Sequence, residues 1–254
     1  MTLRLAHLSD LHFGEAPPAL VESLAADIRA AAPDAILASG DLTRRAEPEE
    51  FAAALGFLRR FGVPVLTVPG NHDIPRHDLM QRFLSPHRRW QAAEMGAREG
   101  VLDLGAACVI GVDTVRRAHW RHLDWSAGGI SERRLLLLGE RLRRVAGRPV
   151  IVICHHPLRH PAWALGRHPP AGADAVLGLL REAGVRAVLS GHLHRAEGLG
   201  GGPGEGPRQF IAPSALSPRL KAARNGWLLA TLDAAGLRVE AREEMDGAWS
   251  GRPL

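Results

Sequence analysis

Five short clusters of residues able to bind metal ions recur along the chain, and four of them directly follow an apolar run typical of a β-strand. In chain order they are Asp10-Leu11-His12, Gly40-Asp41, Gly70-Asn71-His72-Asp73, His155-His156-Pro157 and Gly191-His192-Leu193-His194. In open α/β sheets, ligands bind in the crevice outside the carboxyl ends of the strands. We therefore expect one site that is assembled from several loops.

The donor atoms in these clusters favour divalent cations. Hard and borderline cations bind oxygen and imidazole ligands, and the clusters supply two carboxylates, one amide oxygen and four imidazoles: Asp10, Asp41, Asn71, His12, His155, His192 and His194. Seven ligands are too many for one zinc-like ion and suit a pair of ions. The two cysteines both lie in apolar, strand-like runs, which argues against a four-cysteine structural zinc site.

Each cluster taken alone also has a purely structural explanation. Gly40-Asp41 could be the approach to a helix, residues 71–73 a polar turn, and Pro157 the end of a strand. His7 and Cys154, which lie within or at the end of apolar runs, are interpreted as core residues. Coincidence explains the joint occurrence of all five clusters poorly, so we retain the metal-site hypothesis.

The clusters are separated by alternating strand and helix patterns. In the first half, apolar runs predict strands at 3–8, 35–38, 64–68, 101–104 and 108–113, and helical spacing predicts helices at 17–32, from about 48, and at 78–97. In the second half, Ser131 is expected to cap a helix, followed by strand 150–154, helix 174–183 and strands 186–189, 209–212, 227–232 and 237–241. This order predicts two mixed sheets packed together with helices outside.

The composition is that of an ordinary globular domain: 254 residues, 46% hydrophobic and 23% charged. The chain has neither an apolar run near the roughly 20 residues of a membrane span nor an opening typical of a signal peptide, so we expect a cytoplasmic protein. The formal net charge of +5 comes mainly from arginine. Because these arginines are dispersed, we expect no stable nucleic-acid partner.

The order D-x-H, G-D, G-N-H-D, H-H-P, G-H-x-H, which runs from residue 9 to residue 194, resembles that of the calcineurin-like metallophosphoesterases. The opening Leu8-Ser9-Asp10-Leu11-His12 is most similar to bacterial members of the cyclic-nucleotide phosphodiesterase type. The resemblance implies an α/β fold, namely a four-layer α/β/β/α sandwich of two mixed sheets with flanking helices. We expect residues 1–254 to form a single domain.

The resemblance also implies a role for each motif residue. Asp10, His12 and His194 would hold one metal ion, Asn71, His155 and His192 the other, and Asp41 would bridge them. His72 would contact the phosphate and protonate the leaving oxygen, and Asp73 would fix the orientation of His72. His156 would not be a ligand.

The expected activity is hydrolysis of a phosphoester bond, namely that of a nucleotide or a related small diester, by hydroxide bound to two divalent ions. Mn, Fe, Zn and Co all suit the donor set, and oligomeric state is left open. The alternatives are hydrolysis of a nucleotide-linked lipid pyrophosphate and a non-enzymatic binding scaffold of the same fold. A nuclease is less favoured because no appended DNA-binding domain is evident.

Three loop segments are expected around this site. Segments 115–130 and 158–172 are rich in Trp, His and Arg, and we expect them to flank the site and select the substrate. Trp120, Trp125 and Trp163 could either stack on a nucleobase or pack their loops down. Segment 197–208 is rich in glycine and is predicted to be a flexible loop.

Overall fold

The computed structural model of the protein describes residues 2–118, 125–164, 166–200, 206–218 and 223–254. Its first half contains β1 (Leu3–Leu8), α1 (Pro18–Ala31), β2 (Ala35–Ser39), α2 (Pro48–Arg59), β3 (Val65–Val68), α3 (Leu79–Leu84), α4 (Arg88–Ala92), β4 (Val101–Asp103) and β5 (Cys108–Val112). Its second half contains α5 (Glu132–Arg144), β6 (Val150–Cys154), α6 (Ala173–Glu182), β7 (Ala187–Ser190), β8 (Glu197–Leu199), β9 (Arg208–Ile211), β10 (Gly226–Asp233), β11 (Gly236–Met245) and β12 (Ala248–Pro253).

The strands form two six-stranded mixed sheets, with the orders β12-β11-β10-β1-β2-β3 and β4-β5-β6-β7-β9-β8. In the first sheet, β1, β2 and β3 are parallel, whereas β10, β11 and β12 pair antiparallel. In the second sheet, β5, β6, β7 and β9 are parallel, and β4 and β8 are antiparallel strands at its two edges. The predicted pair of mixed sheets is therefore confirmed.

Alternating side chains explain how the two sheets pack into four layers. In β2, Leu37 enters the core between the sheets, whereas Ile36 lies under α1 and α2. In β6, Ile153 enters the same central core, and Val152 packs against α5 and α6. Both faces of these strands are buried, as expected for parallel strands covered on two sides. The predicted α/β/β/α sandwich is confirmed.

This architecture places the motif clusters at one end of the sandwich. β1, β2 and β3 run parallel and end at Leu8, Ser39 and Val68, directly before three of the clusters. The neighbouring parallel strands β6 and β7 end directly before the remaining two. Backbone hydrogen bonds join the loops beyond the strands, from Asp10 N to Gly40 O (3.0 Å) and from Gly191 N to His155 O (3.0 Å).

Two sequence-based expectations differ from the structure. The helix predicted at 78–97 is two short helices, α3 and α4, because Pro86 between them has no N–H group and disfavours helical backbone at Ser85. β8 begins the segment 197–208 that was predicted to be a loop; residues 201–205 of that segment lie outside the described residues. In the part of the chain that is described, no helix combines the length and the hydrophobicity needed to cross a membrane.

Candidate metal centre

The backbone of the candidate ligands is strained. Five of the seven adopt left-handed conformations, with φ between 47° and 69°: Asp10, His12, Asp41, His192 and His194. This region costs a residue with a side chain roughly 1–2 kcal/mol, and such strain persists only where the surroundings impose it. Its concentration in the loops beyond β1, β2 and β7 indicates that the fold holds these side chains in place for a function.

Two glycines allow the loops to approach each other closely. A Cβ atom on Gly70 would overlap the backbone nitrogen and the carboxylate of Asp41. A Cβ atom on Gly191 would overlap the side chains of Ser9 and Asp10. Any larger residue at either position would therefore displace a candidate ligand.

One group of donor atoms surrounds Asp10. Nε2 of His194 lies 3.0 Å and Nε2 of His12 lies 3.9 Å from Oδ1 of Asp10. Among the described residues, this buried Oδ1 has no hydrogen-bond partner of good geometry. Its companion Oδ2 accepts hydrogen bonds from Oγ of Ser9 (2.6 Å) and the backbone N–H of His192 (3.0 Å). The carboxylate is thus oriented by Oδ2, while Oδ1 and the two imidazoles face one another.

A second group surrounds His155. Its Nδ1 donates to the carbonyl of Ser39 (2.8 Å), so in the neutral imidazole Nε2 carries a lone pair. This Nε2 lies 3.1 Å from Oδ1 of Asn71 and 3.5 Å from Oδ2 of Asp41. The ring of His192 lies 5.1 Å from that of His155, measured between centroids. Three electron-pair donors therefore meet at one point, and His192 lies beside them.

The protonation of these groups also suits a cation. Burial would by itself raise the pKa of Asp10, but His194, His155 and His12 hold that pKa well below its ordinary value. Burial lowers the pKa of His12, against the opposing charges of Asp41 and Asp10, and lowers the pKa of His192 strongly. Against the effect of burial, Asp10 raises the pKa of His194, so a cation that binds there would displace a proton. Ionised carboxylates and neutral imidazoles are the forms that bind metals. The donor set therefore fits two divalent ions, as the sequence predicts.

His156 belongs to the same cluster but has no free nitrogen. Its Nε2 donates to the carbonyl of Ser126 (2.8 Å), and its Nδ1 lies 2.7 Å from the hydroxyl of Thr114. Burial, followed by the charge of His155, lowers the pKa of His156 to about 3, so the ring is neutral and Nδ1 accepts. These contacts support the expectation that His156 positions the loop and binds no metal.

The hydrogen bonds of Asp73 do not support the expectation that this residue orients His72. The buried carboxylate of Asp73 accepts hydrogen bonds from the backbone N–H groups of Leu42 (3.2 Å), Thr43 (2.9 Å) and Gly70 (2.8 Å), and from the Thr43 hydroxyl (2.8 Å). Burial, together with the neighbouring Asp41, raises the pKa of Asp73 to about 6. Asp73 thus joins the loops that carry Asp41 and Asn71.

The orientation of His72 comes from Arg44 instead. Nδ1 of His72 lies 2.9 Å from the backbone carbonyl of Arg44, to which it can donate, and 3.0 Å from the guanidinium of Arg44, from which it can accept instead. The same guanidinium pairs with Glu15 at 3.1 Å. Nε2 of His72 is left for the cavity that this residue lines. Sequence reasoning missed Arg44, although it lies only three residues after the Gly40-Asp41 motif.

The segment 158–172 contributes Arg167. Its guanidinium lies 3.3 Å from Nε2 of His192 and 3.3 Å from the carbonyl of the same residue. Trp163 of this segment donates to Glu197 (2.9 Å) and stacks under Arg195, so it packs its loop against β8. Trp125 lines the cavity beside His72, and Trp120 lies outside the described residues.

A comparison with known families establishes the family to which the chain belongs. The sequence model of the calcineurin-like phosphoesterases matches residues 3–196. The chain belongs to this calcineurin-like phosphoesterase family. Members of the family use a dinuclear divalent metal centre, and the two groups of donor atoms described above fit one.

Relatives within the calcineurin-like phosphoesterases include a probable cyclic nucleotide phosphodiesterase of Synechococcus, 28% identical over 77% of this chain and 75% of the relative. A cAMP/cGMP dual specificity phosphodiesterase of Mycobacterium tuberculosis is 29% identical over 75% of this chain and 61% of its own length. A dimetal phosphatase from Danio rerio shares the fold, with a TM-score of 0.70 and 14% identity over 99% of this chain and 98% of that one.

Asp73→Asn is expected to lower the free energy of unfolding by roughly 2–3 kcal/mol and to weaken metal binding, because an amide cannot accept all four hydrogen bonds. Thermal unfolding and metal analysis measure these two effects. Asp78→Asn is the matched control, since Asp78 is exposed, caps α3 through Gln81 N, and Asn caps equally well. An Asp73→Asn protein with normal stability and metal content but reduced turnover would restore the orienting role.

His12→Gly is expected to be about 1 kcal/mol more stable than His12→Ala, because only glycine adopts the left-handed backbone at this position without strain. Both variants lose the same imidazole, so denaturant titration of the pair isolates the backbone term. The same pair of substitutions at His77, which does not have positive φ, should show the opposite order. Equal stability of the two His12 variants would contradict backbone strain in the first cluster.

Proposed function

We propose that the protein is a dinuclear metal-dependent phosphodiesterase that hydrolyses a nucleotide or a related small diester. The observation that carries this proposal is the convergence of Asp10, His12, Asp41, Asn71, His155, His192 and His194 at the ends of five strands. In this proposal, Asp10, His12 and His194 would hold one ion, and Asn71, His155 and His192 would hold the other. Asp41 would bind both ions. Mn, Fe, Zn and Co suit the ligands.

Two bound cations would supply charge neutralisation of the phosphate and activation of the attacking water. The contribution of the chain is to orient the ligands and the proton donor. Because Arg44 engages Nδ1 of His72, Nε2 is the nitrogen left to face the cavity and a bound substrate. We assign to this group the protonation of the leaving oxygen.

The cavity next to His72 and Asn71 suits a nucleotide. Its volume is about 560 Å³, within the range of small-molecule sites. Arg44, Arg45 and Arg76 line it, and no acidic residue in the described part of the chain does so. Trp125 offers an aromatic face on the same wall, positioned by Arg82, whose guanidinium lies 4.9 Å from the ring centroid. The names of the cyclic nucleotide phosphodiesterase relatives support the same substrate class.

One observation favours the lipid-linked alternative. Helix α3 exposes apolar side chains, with Met80 75% and Leu84 76% exposed, and Leu79 also lines the cavity. An amphipathic surface in segment 115–130 would favour the same alternative, but residues 119–124 of that segment lie outside the described residues. A nucleotide-linked lipid pyrophosphate would bring an acyl chain to α3. The scaffold alternative has less support, because the ligand set is complete.

The proposal also covers the domain organisation, the partners and the location of the protein. We treat residues 1–254 as one catalytic domain whose substrate is a small phosphoester, with no stable nucleic-acid partner. A cytoplasmic location is proposed on composition alone, and homo-oligomerisation is left open.

His72→Ala is expected to retain both metal ions and to lose turnover of bis(p-nitrophenyl) phosphate by about 10²–10⁴-fold, the usual contribution of a general acid. Steady-state kinetics and metal analysis of the same preparation measure both quantities. His77→Ala, which removes another histidine from the same cavity wall, should retain turnover within a few-fold. Loss of metal from His72→Ala would contradict the separation between ligands and proton donor.

Removal of metal by a chelator is expected to abolish turnover and to lower the unfolding temperature, because the converging donors then repel one another. Addition of Mn, Fe, Zn or Co should restore both, with about two ions per chain by metal analysis. Turnover that survives complete metal removal would contradict the proposed function.

A further inference from the structure

A second cavity adjoins the first. Its volume is about 290 Å³, and the buried side chain of Ile74 lines both cavities. The second cavity lies between α3, α4 and the chain that follows β5. The second cavity therefore adjoins, at Ile74, the cavity that Asn71 and His72 line.

Arginine dominates the wall of this second cavity: Arg88, Arg98, Arg116, Arg117 and Arg134 line it. The sequence predicts dispersed arginines, but folding gathers these five from four separate segments. The described lining includes no carboxylate. An anionic ligand is the natural complement of such a wall.

Neutralisation of these arginines is incomplete. Arg98 and Arg134 bind the carboxylate of Asp113, which lies buried behind them, and Arg134 also pairs with Glu99 at 3.3 Å. By contrast, Arg88 and Arg116 form no ion pair within the described residues, and Arg117 donates to the carbonyl of Phe83 (2.7 Å). Three cations thus face the cavity with no carboxylate partner.

His87 lies on the same wall, and the nearby positive charges affect its pKa. Its side chain is 11% exposed, and its Nε2 lies 3.7 Å from Asp113. Burial, followed by the charges of Arg98, Arg134 and Arg117, lowers the pKa of His87 to about 3. Its buried Nδ1 has no hydrogen-bond partner among the described residues. A bound anion would offset the positive charges that surround this ring.

We propose that the arginine cavity binds a second phosphate group of the substrate. The preferred substrate is then a linear phosphodiester with a terminal phosphate, of which a 5′-phosphorylated dinucleotide is the simplest soluble example. A 3′,5′-cyclic mononucleotide has a single phosphate and would leave the arginine cavity empty. This inference rests on the proposed phosphodiesterase function and specifies its substrate class.

The test compares a 5′-phosphorylated dinucleotide with the same dinucleotide lacking the 5′-phosphate, on the metal-loaded full-length protein. The wild type should hydrolyse the phosphorylated form with a kcat/KM at least about tenfold higher, since a charged hydrogen bond contributes roughly one order of magnitude. Arg88→Gln and the double variant Arg88→Gln/Arg116→Gln should lower this ratio progressively. Arg133→Gln, on the exposed face of α5, is the charge-matched control and should leave the ratio unchanged.

Binding to the metal-loaded protein, measured with dinucleotides whose bridging phosphate is replaced by a non-hydrolysable methylphosphonate, provides a readout that is independent of turnover. Calorimetry with the phosphorylated analogue should show weaker binding by about tenfold in Arg88→Gln/Arg116→Gln, and wild-type binding in Arg133→Gln. Circular dichroism and thermal unfolding establish that the variants are folded.

The outcomes separate the two proposals. No hydrolysis of bis(p-nitrophenyl) phosphate or of either dinucleotide by the wild type would overturn the proposed function. Hydrolysis without preference for the terminal phosphate would overturn the present inference alone. A preference that survives the double variant, or that falls equally in Arg133→Gln, would also overturn it, because the phosphate would then bind elsewhere or respond only to net charge.

Discussion

The structure depends on holding the electron-pair donors of Asp10, His155 and their neighbours close together at the ends of the strands. Oδ1 of Asp10 faces two imidazoles, and Nε2 of His155 faces two oxygens. Left-handed backbone at five of these residues and glycines at the closest approaches add local strain. The sandwich compensates for this strain, because its two sheets are buried on both faces and hold the strand ends in fixed positions. A binding site is the reason such an arrangement persists.

The roles of the residues around the site follow from which of their polar atoms have no hydrogen-bond partner within the loops. His156 and Asp73 have chemically suitable side chains, but their polar atoms are already used to tie loops together. His72 keeps one nitrogen for the cavity because Arg44 engages the other. Residue type alone does not separate these roles, whereas the hydrogen-bond partners do.

The sequence predicts the strands, the sandwich and the grouping of the seven ligands well, because these follow from local periodicity and from the meeting of parallel strand ends. It fails where the determinant is a contact through space. The contacts of Asp73 with Thr43 and of Arg44 with His72 join residues about 30 positions apart. The arginine cavity draws on residues 88 to 134, and their dispersal along the chain conceals their proximity. β12 has no apolar alternation, since it is a mostly exposed edge strand, and only its pairing with β11 reveals it.

The hydrogen bond from His155 to the carbonyl of Ser39 crosses from the second sheet to the first. Ions bound by His155, Asn71 and Asp41 would therefore add a cross-link between the two halves of the sandwich, beside the hydrogen bonds and the apolar packing that already join them. Metal binding would then be coupled to the docking of the two sheets. Folding intermediates with one sheet formed would lack a complete binding site, so metal capture reports on completion of the whole tertiary structure.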